Sequence, residues 1–350
     1  MAGPPLTGRG TTANPPNRFG PLSLEPEPDD EPGATPTTYY RDTSKSALAE
    51  NDSPDIPFRF SLNPYRGCEH GCIYCYARPS HEFLGFSAGL DFERRIMVKE
   101  DAPALLRKAF RSRSWEPQLV SLSGNTDCYQ PVERRLGLTR RCLEVFVEFR
   151  NPVGVITKSS LVARDADLLA ELARYDAAHV FCSVTTLDPE LARRLEPRAA
   201  HPEKRLEAIA TLAAAGVPVG VMIGPVIPGL NDAEIPRILE AAARAGASGA
   251  SWVLLRLPPP VDALFAEWLG QHYPDRRERV LGRVRETRDG RISDGTWGLR
   301  QRGQGAYADQ IAQLFRAAVK KHGLDRPMPD LSAAAFRRPP ERGDQLGLFS

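Results

Sequence analysis

No stretch of this sequence is long and apolar enough to cross a bilayer, which takes about 18 or more consecutive apolar residues. The opening Met1-Ala-Gly-Pro-Pro-Leu6 lacks the apolar core of a secretory signal. Net charge is nearly absent: 46 Lys and Arg stand against 44 Asp and Glu, leaving +2 at pH 7. Whole-chain charge therefore does not argue for a polyanionic partner. Cysteine is scarce, six in 350 residues, and three of the six crowd together, unlike the spaced pairs of a disulfide framework. A reducing cytoplasm is the compartment that fits. What remains is 41% hydrophobic residues, enough for a sizeable core in one large α/β barrel or two smaller domains.

The crowded cysteines are Cys68, Cys72 and Cys75, in the run Asn63-Pro-Tyr-Arg-Gly-Cys-Glu-His-Gly-Cys-Ile-Tyr-Cys-Tyr76. Gly67 and Gly71 let the backbone fold back sharply between them. Soft thiolates at the spacing C-x3-C-x2-C hold a soft metal. Three are one short of the four that close a structural zinc site or a ferredoxin-type cluster. A [4Fe-4S] cube on three thiolates leaves one iron open to a substrate or cofactor, which suits chemistry better than electron storage. With His70 or His81 as a fourth ligand the loop would instead be a zinc knuckle. Three buried, unliganded cysteines are the remaining alternative.

Residues 1 to about 50 are rich in Pro, Gly, Thr and acids, as in Glu25-Pro-Glu-Pro-Asp-Asp-Glu-Pro32, and read as a flexible arm anchored at Tyr39 and Tyr40. From 57 a regular pattern begins. Apolar runs at 58–62, 119–122, 153–157, 179–185, 217–223 and 251–255 read as strands. Amphipathic stretches at 101–113, 133–150, 164–174, 203–215 and 232–245 read as helices. This alternation predicts six parallel β/α repeats from 57 to about 270, with chemistry at the C-terminal strand ends. The cysteine loop lies at such an end. After 270 comes an Arg-rich segment (nine arginines against five acids over 271–302), then a helix at 305–321 and a Pro-rich tail.

The cysteine spacing, with the aromatic Tyr74 before the last cysteine, resembles the cluster loop of the radical S-adenosylmethionine (radical SAM) enzymes. The resemblance spans about 57–260. Within that superfamily the run 63–78 is similar to the spore photoproduct lyase-related, DNA repair photolyase-like branch. So are Asn125-Thr-Asp127, Thr157-Lys-Ser159 and Ser183-Val-Thr-Thr186 with Leu195-Glu-Pro197. It implies an α/β fold: a partial (β/α)6 TIM-type barrel at 51–270, a disordered N-terminal arm at 1–50, and a C-terminal helical extension with a flexible tail at 271–350. It also implies a [4Fe-4S] cluster on Cys68, Cys72 and Cys75, whose open iron chelates SAM. One electron, from a donor such as flavodoxin or ferredoxin, would cleave SAM to a 5′-deoxyadenosyl radical that takes hydrogen from a substrate. The branch points to nucleic acid and a DNA repair-like lyase reaction. A small-molecule or peptide substrate is the second reading, although no Cys-rich extension of the peptide-modifying kind is present. A non-enzymatic metal-binding interaction protein is the third.

The strand-end loops supply the other candidates. Ser123, Gly124, Asn125, Thr126 and Asp127 stand where the family's loop meets the methionine end of SAM; the plainer alternative is a turn with Thr126 or Asp127 as a helix cap. Lys158 would pair with the SAM carboxylate, or is a solvated lysine at the barrel rim. Ser183 and Thr185 suit a ribose or carboxylate, and Glu196 completes the pocket or joins Arg198 in a surface ion pair. The turn around Ile227 resembles the adenine-contacting loop. Tyr74 and Tyr76 match tyrosines of the lyase that relay a hydrogen atom, and Cys128 is the nearest candidate donor or else a core residue, as Cys142 and Cys182 are read to be. The tail Gln345-Leu-Gly-Leu-Phe349 resembles the peptide that docks bacterial repair proteins on the DNA polymerase sliding clamp. The arginines of 276–302 would contact phosphates or form a solvated face. The chain is read as a monomer that meets no membrane.

Overall fold

The computed structural model describes residues 9–19, 36–326 and 328–340. Its strands, in chain order, are β1 (Thr38–Arg41), β2 (Leu48–Glu50), β3 (Phe60–Leu62), β4 (Tyr65–Arg66), β5 (Arg95–Val98), β6 (Val120–Leu122), β7 (Val153–Thr157), β8 (Ala178–Ser183), β9 (Val219–Val226) and β10 (Gly249–Leu254). The helices are α1 (Leu90–Arg94), α2 (Ala102–Arg111), α3 (Glu133–Leu136), α4 (Leu138–Phe149), α5 (Ala166–Ala173), α6 (Pro189–Leu195), α7 (Pro202–Ala214), α8 (Ile235–Arg244), α9 (Val261–His272), α10 (Arg277–Glu286) and α11 (Ala306–Lys321).

The main sheet has the order β10-β9-β8-β7-β6-β3-β2. Its strands from β3 to β10 run parallel and in sequence order, and β2 adds one antiparallel strand at the edge. Each parallel step carries helices that cover the sheet, α5 and α7 against β8, and α7 and α8 against β9. The helix-covered face of the strands is apolar and buried, with Val153 and Val155, Val180 and Cys182, Val219 and Val221 all nearly inaccessible, while the alternate residues Gly154, Ile156, Phe181 and Met222 face the cavity. β10 pairs with β9 alone, so the curved sheet resembles a partial barrel with an open side.

The expected helix at 133–150 is two helices. Gly137 takes a left-handed backbone, φ +60°, which ends α3 and starts α4. A second sheet, β1-β5-β4, stands beside the cysteine loop and was not expected from the sequence. It pairs Thr38–Arg41 with Arg95–Val98, so Tyr39 and Tyr40 lie in a strand. Residues 9–19 pack on the outer face of the cysteine loop. The backbone N–H groups of Arg9 and Gly10 donate to Glu93, and a Cβ at Gly10 would lie 1.7 Å from the Gly71 carbonyl oxygen. The clamp-like sequence at 345–349 lies outside the described residues. No helix among the described residues is long and apolar enough to cross a membrane.

Candidate active site

The cysteine loop follows β4 and closes on itself in short turns. The N–H of Gly71 donates to the Cys68 carbonyl and that of Cys75 to the Cys72 carbonyl. Gly67 and Gly71 have φ of +77° and +67°, where a side chain would be strained. A fully buried arginine ties the loop together. Arg78 donates through Nε to the Cys72 carbonyl (3.0 Å) and through Nη1 to those of Ala88 and Gly89 (3.2 and 3.0 Å). Its Nη2 reaches the Gly71 carbonyl at 3.3 Å and pairs with Glu93. The charge is thus paired and its donors are used, as burial requires. The outward backbone polarity of the loop is satisfied from behind, leaving the thiols to face the barrel.

His81 closes the same side, between the rings of Phe86 and Phe92. Burial lowers its pKa to about 4. A histidine depressed from its ordinary value near 6.5 binds more protons unfolded than folded between those limits. Its contribution to stability is therefore full above about 6.5 and is lost as the pH falls toward 4. His81→Leu is expected to flatten this acid-side loss by up to about 3 kcal/mol, read from urea unfolding at stepped pH.

Cys68, Cys72 and Cys75 line one cavity of about 650 Å³, a size in the usual range for small-ligand sites. None is in a disulfide, and burial raises the pKa of all three thiols. Among the described residues no group of three or more His, Cys, Asp or Glu converges as a single ion would need. A four-iron cube binds each thiolate at a different iron, so its ligands surround a volume instead of meeting at a point. Three free soft donors on the wall of an open cavity fit that group. The zinc alternative fits less well. His81 is packed between aromatic rings, and His70 Nδ1 lies 3.4 Å from Asp127 Oδ2.

Behind the loop lies a buried polar network. Tyr74 donates its hydroxyl to Glu196, Thr185 Oγ1 donates to the same oxygen at 2.6 Å, and Arg205 pairs with the other. Arg205 also donates to the carbonyls of Ala200 (2.7 Å) and Ser183 (3.0 Å). Burial opposes a charge on Glu196, but Arg205 and Lys158 outweigh it and hold the carboxyl below its ordinary range. Burial, then the Glu196 charge, pushes the Tyr74 phenol well up. Tyr74 is therefore the proton donor and Glu196 the charged acceptor. Lys158 Nζ stands 5.8 Å from the centre of the Tyr74 ring, within reach of a cation–π contact. No ion pair of Lys158 is present among the described residues, and its side chain lines the cavity.

The loop after β6 forms the opposite wall. Asn63 Oδ1 accepts the N–H groups of Gly124, Asn125 and Thr126 at 3.3, 3.0 and 3.2 Å. One side chain thereby fixes the loop against the start of the cysteine run. Ser123 has φ +90°, uncommon for a residue with a side chain, and its Oγ donates to the Thr126 carbonyl. Asp127 is committed to protein: its oxygens accept from Thr157 Oγ1, the Tyr129 N–H and the Lys158 N–H. Tyr76 donates its hydroxyl to the Gly124 carbonyl at 2.8 Å, while half of its surface stays exposed at the mouth.

The cavity thus collects the three cysteines, Tyr74, Tyr76, Lys158, Ser183 and the whole 123–127 loop. Thr185, Glu196 and Ile227 do not line it. Thr185 and Glu196 belong to the network behind, and Ile227 is held through its N–H by Asn231 Oδ1 (2.6 Å). Ser183 and Thr185 do share a side, as alternation requires: Ser183 Oγ donates to the Gly224 carbonyl at 3.2 Å, and Thr185 Oγ1, whose proton goes to Glu196, lies 3.2 Å from the same oxygen. Cys128 is fully buried in the main core with Cys142 and Cys182. Sequence reading missed Arg78, Arg205 and Asn63. Arg78 and Asn63 border the cysteine motif, and that adjacency was the available signal; Arg205 sits in a charged helix start that looks solvated.

A family model described as the radical SAM superfamily matches residues 62–242. The chain is 37% identical over 310 residues to the uncharacterized protein Rv2578c of Mycobacterium tuberculosis, covering 85% of this chain and 86% of that one. It is 30% identical over 177 residues to the uncharacterized protein MJ0683 of Methanocaldococcus jannaschii, covering 50% and 63%. Among solved structures, spore photoproduct lyase complexed with dinucleoside spore photoproduct superposes with a TM-score of 0.54 at 16% identity, covering 81% of this chain and 79% of that one. A mutant of that lyase with bound AdoMet and the dinucleoside photoproduct gives 0.50 at 17% identity, covering 81% and 77%. At such identity these two structures speak for the fold.

Proposed function

The chain belongs to the radical SAM superfamily, and from that premise we propose that it is an enzyme acting on nucleic acid, with a [4Fe-4S] cluster on Cys68, Cys72 and Cys75 and SAM in the cavity beside them. The observation that carries this reading is the meeting of three free thiols and the unpaired Lys158 ammonium in one cavity at the C-terminal strand ends. When bound, the cluster and SAM supply a 5′-deoxyadenosyl radical and methionine at the cost of one electron from a flavodoxin- or ferredoxin-type donor.

The chain's own residues bind and position. Lys158 pairs with the SAM carboxylate, which gives a half-buried ammonium the anion it lacks. Gly124 and Asn125, held by Asn63, meet the methionine end. Thr185, Glu196 and Ile227 act from behind, keeping Tyr74 and the loop after β9 in place. Of the two tyrosines, Tyr76 suits a hydrogen relay better, because its ring is open to the mouth and its hydroxyl meets a neutral carbonyl, that of Gly124, while Tyr74 is buried and its hydroxyl is tied to the charged Glu196. Nucleic acid is favoured as substrate by the aromatic and basic lining of the cavity, where Phe58 and the half-exposed Tyr76 stand with arginines; stacked bases use such surfaces.

Anaerobic reconstitution with iron and sulfide, followed by SAM and dithionite, is the test. Release of 5′-deoxyadenosine is expected, and its absence from protein that has taken up the cluster would leave only a metal-binding module. Lys158→Ala is expected to weaken SAM binding about tenfold or more, the loss of one charge-assisted contact. Equilibrium dialysis of the reconstituted protein reads this directly; unchanged affinity would make Lys158 a plain rim lysine.

A further inference from the structure

The cavity carries a surplus of positive charge that SAM does not use. Its charged lining is Lys158, Arg256, Arg300 and Arg302 against Asp55 and Asp127. Both carboxylates are engaged. Asp55 pairs with Arg300, and Asp127 accepts from Thr157, Tyr129 and Lys158. Arg302 donates to the Trp252 carbonyl at 2.7 Å. Arg256 has no such partner among the described residues. Its guanidinium carbon lies 6.0 Å from the Tyr76 ring centre, whereas Lys158 stands over the other tyrosine, Tyr74.

The position is built. Arg256 follows β10, and the preceding Leu255 is fixed on both sides: its N–H donates to the Val226 carbonyl at 2.9 Å, and its carbonyl accepts from Arg288 Nη2 at 2.8 Å. Arg300 is held beside it by Asp55 and Ser53 and stacks on Trp297 at 3.9 Å. Two aromatic faces open to solvent flank the pair, Tyr76 at 50% and Trp297 at 53% exposure. A partly desolvated guanidinium without an anion is unfavourable in the free protein. Its planar fork matches a phosphate in a bidentate way, and the flanking rings match bases.

We propose that Arg256, with Arg300 beside it, is the site that seats a backbone phosphate of the substrate while neighbouring bases stack on Tyr76 and Trp297. This rests on the nucleic-acid reading above and adds where the anion sits. Arg256 thereby sets substrate class and register at the mouth.

The test uses the full chain, reconstituted anaerobically, with two probes: inorganic pyrophosphate, and a single-stranded oligothymidylate followed by fluorescence anisotropy across a potassium chloride series. Arg256→Gln is expected to weaken both probes about tenfold. It should also lower the slope of log affinity against log salt for the oligonucleotide by about 0.7, one phosphate contact on a single strand. Arg256→Lys should restore the slope but not the full affinity, because the charge returns without the fork. Melting curves of each variant separate loss of the site from loss of fold. Unchanged binding of both probes in folded Arg256→Gln would overturn the site, while a wild-type oligonucleotide affinity would keep the nucleic-acid reading. Arg256-dependent binding of pyrophosphate with no binding of the oligonucleotide would overturn the nucleic-acid substrate instead.

Discussion

Cys72→Ala is expected to abolish both the visible absorbance of a reconstituted cluster and the release of 5′-deoxyadenosine. The three thiols are three corners of one ligand set, and two thiolates leave half of a four-iron cube without protein ligands. The fold should survive. The Cys72 backbone carbonyl, which accepts from Arg78, is untouched by the substitution, and the side chain lies on a cavity wall. A destabilisation of about 1 kcal/mol is the ordinary scale for such a change. Cys128→Ala is the control: a similar small stability loss in the core, with absorbance retained. Iron content, absorbance and product measured on the two variants side by side decide the matter. A Cys72→Ala protein that still cleaves SAM would remove the cysteine triplet from the mechanism.

Arg205→Met is expected to cost about 3–5 kcal/mol, the scale for leaving one partner of a buried ion pair alone. Both side chains are almost wholly inaccessible, 2% for Arg205 and 1% for Glu196. The stranded carboxylate would keep only the hydroxyls of Tyr74 and Thr185. The deficit should shrink as the pH is lowered through the carboxylate range, because a protonated Glu196 no longer needs a cation. Adding Glu196→Gln should recover much of the loss for the same reason. Denaturant unfolding at two pH values, with the double variant as reference, measures all three effects. An Arg205→Met protein as stable as wild type would mean that the network is not ionic.

The parallel strands were legible because a strand buried on both faces is a short apolar run bounded by turn residues, as in Val153-Gly-Val-Ile-Thr157. The β1-β5-β4 sheet was not, since Thr38–Arg41 and Arg95–Val98 find each other across more than fifty residues, each is only four residues long, and Thr38–Arg41 carries no aliphatic residue. The cysteine spacing marked the site's centre, and alternation placed Ser183 and Thr185 on one side. It could not tell which of them reaches the cavity, because β8 ends at Ser183 and the chain then turns Thr185 onto Glu196. Arg205 was invisible for a related reason. In Pro202-Glu-Lys-Arg205 every charge looks solvated, and only the packing of α7 against β8 sends one of them inward.

Residues 9–19, laid over the outer face of the cysteine loop, bear on how long a reduced cluster would last. Gly10 seats on the Gly71 carbonyl on one side of the loop, and the three thiols stand on the cavity wall at the other. A cluster held on those thiols would meet dissolved oxygen from the cavity side, and SAM bound in that cavity would then act as an antioxidant stopper.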